Sequence, residues 1–251
     1  MIFHQLLKPL SHTYTYLLAC EETGKAILVD PVVPTMDRDL ALLAKLNLTL
    51  AMTVETHVHA DHITSALHLR EKTGSRIAFP AVDKLACADI HITEGELLQT
   101  GSLALRPLYT PGHTDDHFCY FIEDAGRVLT GDCLLIDGCG RTDFQNGDPR
   151  LLYKSITEKL FSLADDTLVY PGHDYNGRFV SSIAQEKARN PRIALGTSEA
   201  EFVQTMQNLH LPYPNFIDYA VPGNRLCGVC PQDLPEKMSE YCRQMTASPQ
   251  G

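Results

Sequence analysis

The sequence predicts a mixed α/β or α+β protein with layered sheets, and three observations carry that prediction. Strand-like apolar runs come first, with helical patterns between and after them, the order expected of sheets covered by helices. Four of those runs, Leu50–Val54, Leu103–Tyr109, Arg127–Leu129 and Thr167–Tyr170, are each followed by a His or an Asp in a loop-like segment. The first of them leads into His57-Val58-His59-Ala60-Asp61-His62, three imidazoles and one carboxylate within six residues.

The elements follow in order along the chain. Tyr14–Leu18 and Ala26–Val29 read as paired strands around the turn-rich Glu21–Gly24, the second ended by Asp30 and Pro31. Asp37–Leu46 carries apolar residues at helical spacing, and Leu50–Val54 is a short buried strand. Thr64–Lys72 reads as a helix stopped by Gly74, and Arg76–Phe79 as a further strand. Two strand patterns between Glu96 and Tyr109 flank Thr100-Gly101. Cys119–Ile122 and Arg127–Leu129 form a hairpin around Asp124-Ala125-Gly126. Pro149–Leu163 is a helix with Pro in its first turn. Thr167–Tyr170 is the last strand, Arg178–Arg189 is helical, and Ser198-Glu199-Ala200-Glu201 has the form of a capping box. After Leu209 the chain reads as irregular and Pro-rich, with Pro212, Pro214, Pro222, Pro231 and Pro235. The expectation is one domain over 1–251 with a short Pro-rich C-terminal extension from about 210.

Composition narrows the function classes. A hydrophobic share of 44% supports a core in a chain of 251 residues. The net charge of -10 argues against a nucleic-acid partner and against an anionic membrane surface, because both need a basic face. No apolar run approaches the roughly 18–20 residues of a transmembrane helix. Met1-Ile2-Phe3-His4-Gln5 lacks a basic stretch followed by an apolar one, so a cytoplasmic location is the expectation. The eight cysteines are scattered and do not read as a disulfide framework; most are expected to be reduced.

The His motif calls for metal. Buried polar groups need partners, and coordination supplies them. His57 and His59 are two apart, so in extended backbone they project from one side, while Asp61 and His62 point elsewhere as the chain turns into a helix. One loop can thus serve two adjacent metal positions. His113, Asp132 and His173 follow the three later runs and complete seven candidate ligands. Nitrogen and carboxylate donors without Cys suit zinc, manganese or iron. His4, His12, His68, His91, His117 and His210, each standing apart from that pattern, read as structural or surface residues.

These residues resemble the metallo-β-lactamase superfamily of four-layer αββα sandwich hydrolases and oxygenases. The match includes Thr56–His62, Thr110-Pro111-Gly112-His113-Thr114, Gly131-Asp132 and Tyr170-Pro171-Gly172-His173. The resemblance implies a first metal position among His57, His59 and His113, and a second among Asp61, His62 and His173, with Asp132 able to bridge. Asp116 stands where many hydrolases of the superfamily carry Gly, a departure that reshapes the expected pocket wall.

Within the superfamily, Gly138–Gln145, Pro171-Gly172-His173-Asp174-Tyr175 and Ala220-Val221-Pro222-Gly223-Asn224 look like the persulfide dioxygenases. That resemblance spans about Gln5 to Pro231. It implies one Fe(II) per chain held by His57, His113 and Asp132, a facial triad of two His and one carboxylate. It implies glutathione persulfide and O2 as substrates, sulfite and glutathione as products, and a role in sulfide catabolism or detoxification. His59, Asp61, His62 and His173 then orient ligands and water around the metal. It also implies a homodimer.

Beside that resemblance stand residues with open readings. Arg141 suits a bidentate contact to a glutathione carboxylate, or equally a salt bridge with Asp143. Tyr175 reads as a contact to substrate or to the groups around the metal. Arg178 is a weaker substrate candidate against a solvated helix residue. Cys227-Gly228-Val229-Cys230 can be redox-active, can place Cys227 near the substrate thiol, or can be incidental; no thioredoxin-like context surrounds it. Two rival functions remain. One is a dinuclear zinc thioester hydrolase of the glyoxalase II type, using the same seven ligands. Against it, the tail lacks the longer helical region with basic glutathione contacts which that family carries. The other is a non-catalytic metal-binding module, against which the intact ligand set argues. No Gly-x-Ser-x-Gly and no phosphate-binding glycine loop occurs.

Overall fold

Two six-stranded sheets, each with helices of its own, make up the protein. The computed structural model describes residues 1–9, 11–229 and 236. The chain divides into two compact units. The first holds Met1–Ile92, Gln99–Leu103 and the described residues from Tyr213 onward; the second holds Thr93–Leu98 and Ala104–Pro212.

In the first unit, β1 (Ile2–Lys8), β2 (Thr13–Ala19) and β3 (Lys25–Val29) run antiparallel in sequence order. α1 (Met36–Lys45) then crosses to β4 (Thr49–Val54), which lies parallel to β3. α2 (Ala66–Thr73) crosses to β5 (Arg76–Pro80), and β6 (Ile90–Ile92) closes the sheet in parallel. The apolar spacing of α1 puts Met36 and Leu43 against Leu17, Leu28 and Leu50 of the sheet. Full burial of such a side chain contributes roughly 1.5–3 kcal/mol. Gly74, in left-handed conformation, caps α2 as the sequence predicts.

The second sheet has the order β12-β11-β10-β9-β8-β7. Its strands are β7 (Leu98–Thr100), β8 (Leu103–Tyr109), β9 (Phe118–Ile122), β10 (Arg127–Gly131), β11 (Leu168–Pro171) and β12 (Ser181–Ser182). β9 and β10 pair antiparallel as the expected hairpin, and β11 lies parallel to β10. Between them α3 (Pro149–Lys154) is capped by the Asp148 carboxylate, which accepts from the amides of Arg150 and Leu151. α4 (Ile183–Arg189) follows β12, and α5 (Glu199–Gln207) opens on the capping box of Ser198 and Glu201. Leu152, Ile156, Phe202 and Met206 pack with Val128 and Val169 in this unit's own core.

The structure departs from the sequence expectation at several elements. β1 and β6 are unexpected strands. The helix expected over Pro149–Leu163 becomes a π-helical stretch at Ser155–Leu160, where the Phe161 amide donates to the Ile156 carbonyl. The Thr157 hydroxyl bonds back to the Tyr153 carbonyl, a contact that bends helices. Arg178 precedes α4 rather than lying in it. The tail is not irregular throughout, because α6 (Ile217–Asn224) forms with Pro222 inside it. Proline removes only one donor there, and Tyr219 and Ala220 are buried with Val33 and Ile63. Cys87 and Cys227 form a disulfide, which corrects the expectation of reduced thiols for this pair; Cys20, Cys119, Cys133 and Cys139 are free. Cys230 lies outside the described residues. No helix among the described residues is long and apolar enough to cross a membrane.

Candidate metal centre

The His loop begins where β4 runs out of partners. Parallel pairing brings Val29 level with Val54, so Asp30 and Glu55 leave neighbouring strands side by side. Asp30 takes the Thr56 amide at 2.7 Å and the Thr56 hydroxyl at 2.9 Å. A hydroxyl has one hydrogen, and the carboxylate can only accept it. The Thr56 oxygen therefore accepts from His57 Nδ1, 2.9 Å away. That bond fixes the proton on Nδ1 and leaves the lone pair of His57 on Nε2, the arrangement a metal ligand needs.

The rest of the loop is equally committed. His59, Asp61 and His62 offer ligand atoms within 4.8 Å of one another. His59 Nε2 lies 3.0 Å from Asp30 and 3.4 Å from Glu55. Burial alone would push His59 down, but the two carboxylates outweigh it and hold it well above its ordinary range. Burial pushes Glu55 up to about 7. His62 is held down, chiefly by burial, with its Nδ1 3.0 Å from Asp61. Its Nε2 is buried with no hydrogen-bond partner among the described residues. An orphaned imidazole nitrogen of that kind costs free energy that a metal would recover.

The second unit builds its own cluster at the ends of β8, β10 and β11. His113 Nδ1 donates to the Arg141 carbonyl at 2.7 Å, so Nε2 again carries the lone pair. That nitrogen stands 3.7 Å from Asp132 Oδ2. Burial holds His113 below its ordinary value, which keeps it neutral and able to ligate. Asp132 Oδ1 accepts from His173 Nδ1 at 2.7 Å. Two glycines permit these approaches. A Cβ on Gly140 would lie 2.3 Å from the Asp132 carbonyl oxygen, and one on Gly172 would lie 2.8 Å from Asp132 Oδ1. The donor chemistry of both units, imidazoles and carboxylates without thiolate, fits a divalent metal.

His117, Asp30, Glu55 and Asn224 are supports to which sequence reasoning assigns no role at the site. His117 Nε2 accepts the Asp132 amide at 3.1 Å, and its Nδ1 meets the Thr110 hydroxyl at 3.0 Å. The signal for Asp30 and Glu55 is their place at the ends of adjacent parallel strands. The proposed substrate residues fare less uniformly. Arg141 makes the salt bridge of its two readings, with both Asp143 oxygens at 2.6 and 2.7 Å. Its Nη1 also donates to the Pro212 carbonyl, and its plane lies over Phe144. Arg178 is not a solvated helix residue: it is paired with Asp174 and Asp137. Tyr175 stacks on His173 at 6.0 Å and is 65% exposed. Cys227 is fully buried in the disulfide, so it presents no thiol in this state.

Residues 9–173 match the model of the metallo-beta-lactamase superfamily, and the chain belongs to that superfamily. The likeness then sharpens. Human mitochondrial persulfide dioxygenase ETHE1 is 44% identical over 229 residues, covering 91% of this chain and 89% of that protein. The crystal structure of ETHE1 from Myxococcus xanthus matches with a TM-score of 0.88 and 52% identity, covering 91% of this chain and all of that one. A hydroxyacylglutathione hydrolase from Cereibacter sphaeroides is 37% identical over 182 residues, covering 70% of this chain and 69% of that protein. Within the superfamily, the chain belongs with the persulfide dioxygenases.

Proposed function

We propose that the protein is an Fe(II)-dependent glutathione persulfide dioxygenase acting in sulfide catabolism or detoxification. The observation that carries the reading is the breadth of the likeness: 44% identity over 91% of the chain to a persulfide dioxygenase, against 37% over 70% to a thioester hydrolase. His57, His113 and Asp132 have the ligand types to hold the iron. Bound there, iron would couple the oxidation of the persulfide sulfur to the reduction of O2. The balance is glutathione persulfide plus O2 plus water giving glutathione, sulfite and two protons.

The chain's own residues prepare that site. Thr56, itself fixed by Asp30, holds the His57 tautomer, and the Arg141 carbonyl holds that of His113. His173 and His117 hold Asp132 by its side chain and its amide. His59, Asp61 and His62 would order the loop around the metal. For substrate, the proposal rests on Tyr175, whose exposed ring and hydroxyl can meet a peptide thiol. Arg141 and Arg178 would serve by the shape of the wall, since their forks are engaged with carboxylates. A homodimer, carried from the family likeness, belongs to the same proposal, and light scattering on the purified protein tests it.

The activity test is stoichiometric. Glutathione persulfide should yield one sulfite per O2 consumed, with S-lactoylglutathione left intact. Thioester cleavage without O2 uptake would transfer the protein to the hydrolase reading.

A further inference from the structure

We infer that Asn224 is a positioning residue of the metal centre, and that the Cys87–Cys227 disulfide anchors it there. The inference rests on the metal-centre reading above. Asn224 ends α6 and is fully buried. Its Nδ2 donates to the His59 carbonyl at 2.8 Å and to the His62 carbonyl at 2.7 Å. Its Oδ1 accepts the Thr64 amide at 2.9 Å. Both amide hydrogens and the oxygen are thus spent on the backbone of one turn, the turn that carries His59, Asp61 and His62 and continues from His57. A side chain so engaged has another task than substrate contact. Without it, two carbonyls and one amide of a buried loop would lose their partners, and the loop would have to rearrange to recover them.

The second observation is the way Asn224 is itself held. The Cys227 amide donates to the Asn224 carbonyl at 2.9 Å, and the Leu67 amide at the start of α2 donates to the Cys227 carbonyl at 3.1 Å. A Cβ on Gly223 would lie 2.8 Å from Ile63 Cδ1, and one on Gly228 would lie 2.1 Å from the Thr64 carbonyl oxygen. The segment therefore lies directly on the loop. The disulfide joins Cys227, three residues past Asn224, to Cys87, and Cys227 packs with Val58, Ala66 and Phe79. The side-chain amide fastens the segment to that turn, the backbone fastens it to the start of α2, and the disulfide ties it to Cys87.

The test uses the full chain, with Fe(II) and Co(II) as probes. Asn224→Asp keeps the size and the acceptor for Thr64 but removes both donors. We expect it to release Fe(II) to a chelator about tenfold faster than wild type, in the range that supporting residues command. Its Co(II) absorption bands should shift, and kcat for O2 uptake should fall about tenfold with KM within about twofold. A purely structural role would lower Tm and leave the Co(II) spectrum and the release rate of the folded protein unchanged; that result would overturn the inference. Should Asn224→Asp fail to fold, Cys87→Ser decides, because it leaves every loop residue in place and frees only the anchor. Its Fe(II) release should be faster than wild type by roughly threefold or more, and an unchanged rate would overturn the anchoring. Wild-type protein that takes up neither metal would instead remove the metal-centre reading itself.

Discussion

At His117 a histidine without ligand spacing supports Asp132, the carboxylate proposed to hold the metal. Its ring nitrogen takes the amide of Asp132, so the carboxylate's backbone is fixed from behind while His173 fixes its side chain. His117→Ala should weaken metal affinity by about 10- to 100-fold, the usual cost of losing such a partner; competitive chelator titration measures it. Asp132→Ala should do more, removing iron retention and O2 uptake together, and a variant with full iron and full turnover would exclude Asp132 as a ligand. His57, His59, Asp61 and His62 are legible in the sequence because their spacing is local. His117 is not, because its partner lies 15 residues away and is a backbone amide that any residue type but proline would offer. The same reason hides Asn224, whose partners are 160 or more residues distant.

Among the elements, α1 carries a titrating group in its buried face. Asp39 is fully buried, and Arg38 Nε donates to it at 2.9 Å. Burial outweighs the arginine and pushes Asp39 from 3.8 up to about 6. A carboxyl whose folded value is raised favours the folded state below its unfolded value, and that contribution is lost as pH rises through the folded one. Stability should therefore fall between pH 3.8 and about 6 on account of Asp39. Asp39→Asn should match wild type near pH 4 and exceed it at pH 7 by up to about 3 kcal/mol; denaturant melts at the two pH values read the difference. α1 is visible from its helical spacing, α2 from the Gly74 that stops it, and the β9–β10 hairpin from its Asp124-Ala125-Gly126 turn. β1 is not: its residues are mostly half-buried on both faces, so Ile2 to Leu7 show no alternation. α6 is hidden by the prolines around and within it, because its stability comes from packing of Tyr219 and Ala220 rather than from propensity.

At the scale of the whole molecule, one long-range constraint among the described residues is covalent. Cys87 and Cys227 are 140 residues apart, and closing so long a loop restricts the unfolded chain by about 4–5 kcal/mol in the chain-entropy account. Reduction should lower the denaturant midpoint accordingly, with Cys87→Ser insensitive to reductant. Sequence cannot pair cysteines at that distance, whereas the order of strands and helices already limits the class to sheets covered by helices.

Metal content together with oxygen uptake, on protein purified without added metal, tests the iron-dependent dioxygenase reading most directly. About one iron per chain is expected for a facial triad of two His and one carboxylate, with O2 consumed only once glutathione persulfide is added. Two zincs per chain, no O2 uptake and cleavage of S-lactoylglutathione would make the protein a dinuclear zinc hydrolase instead.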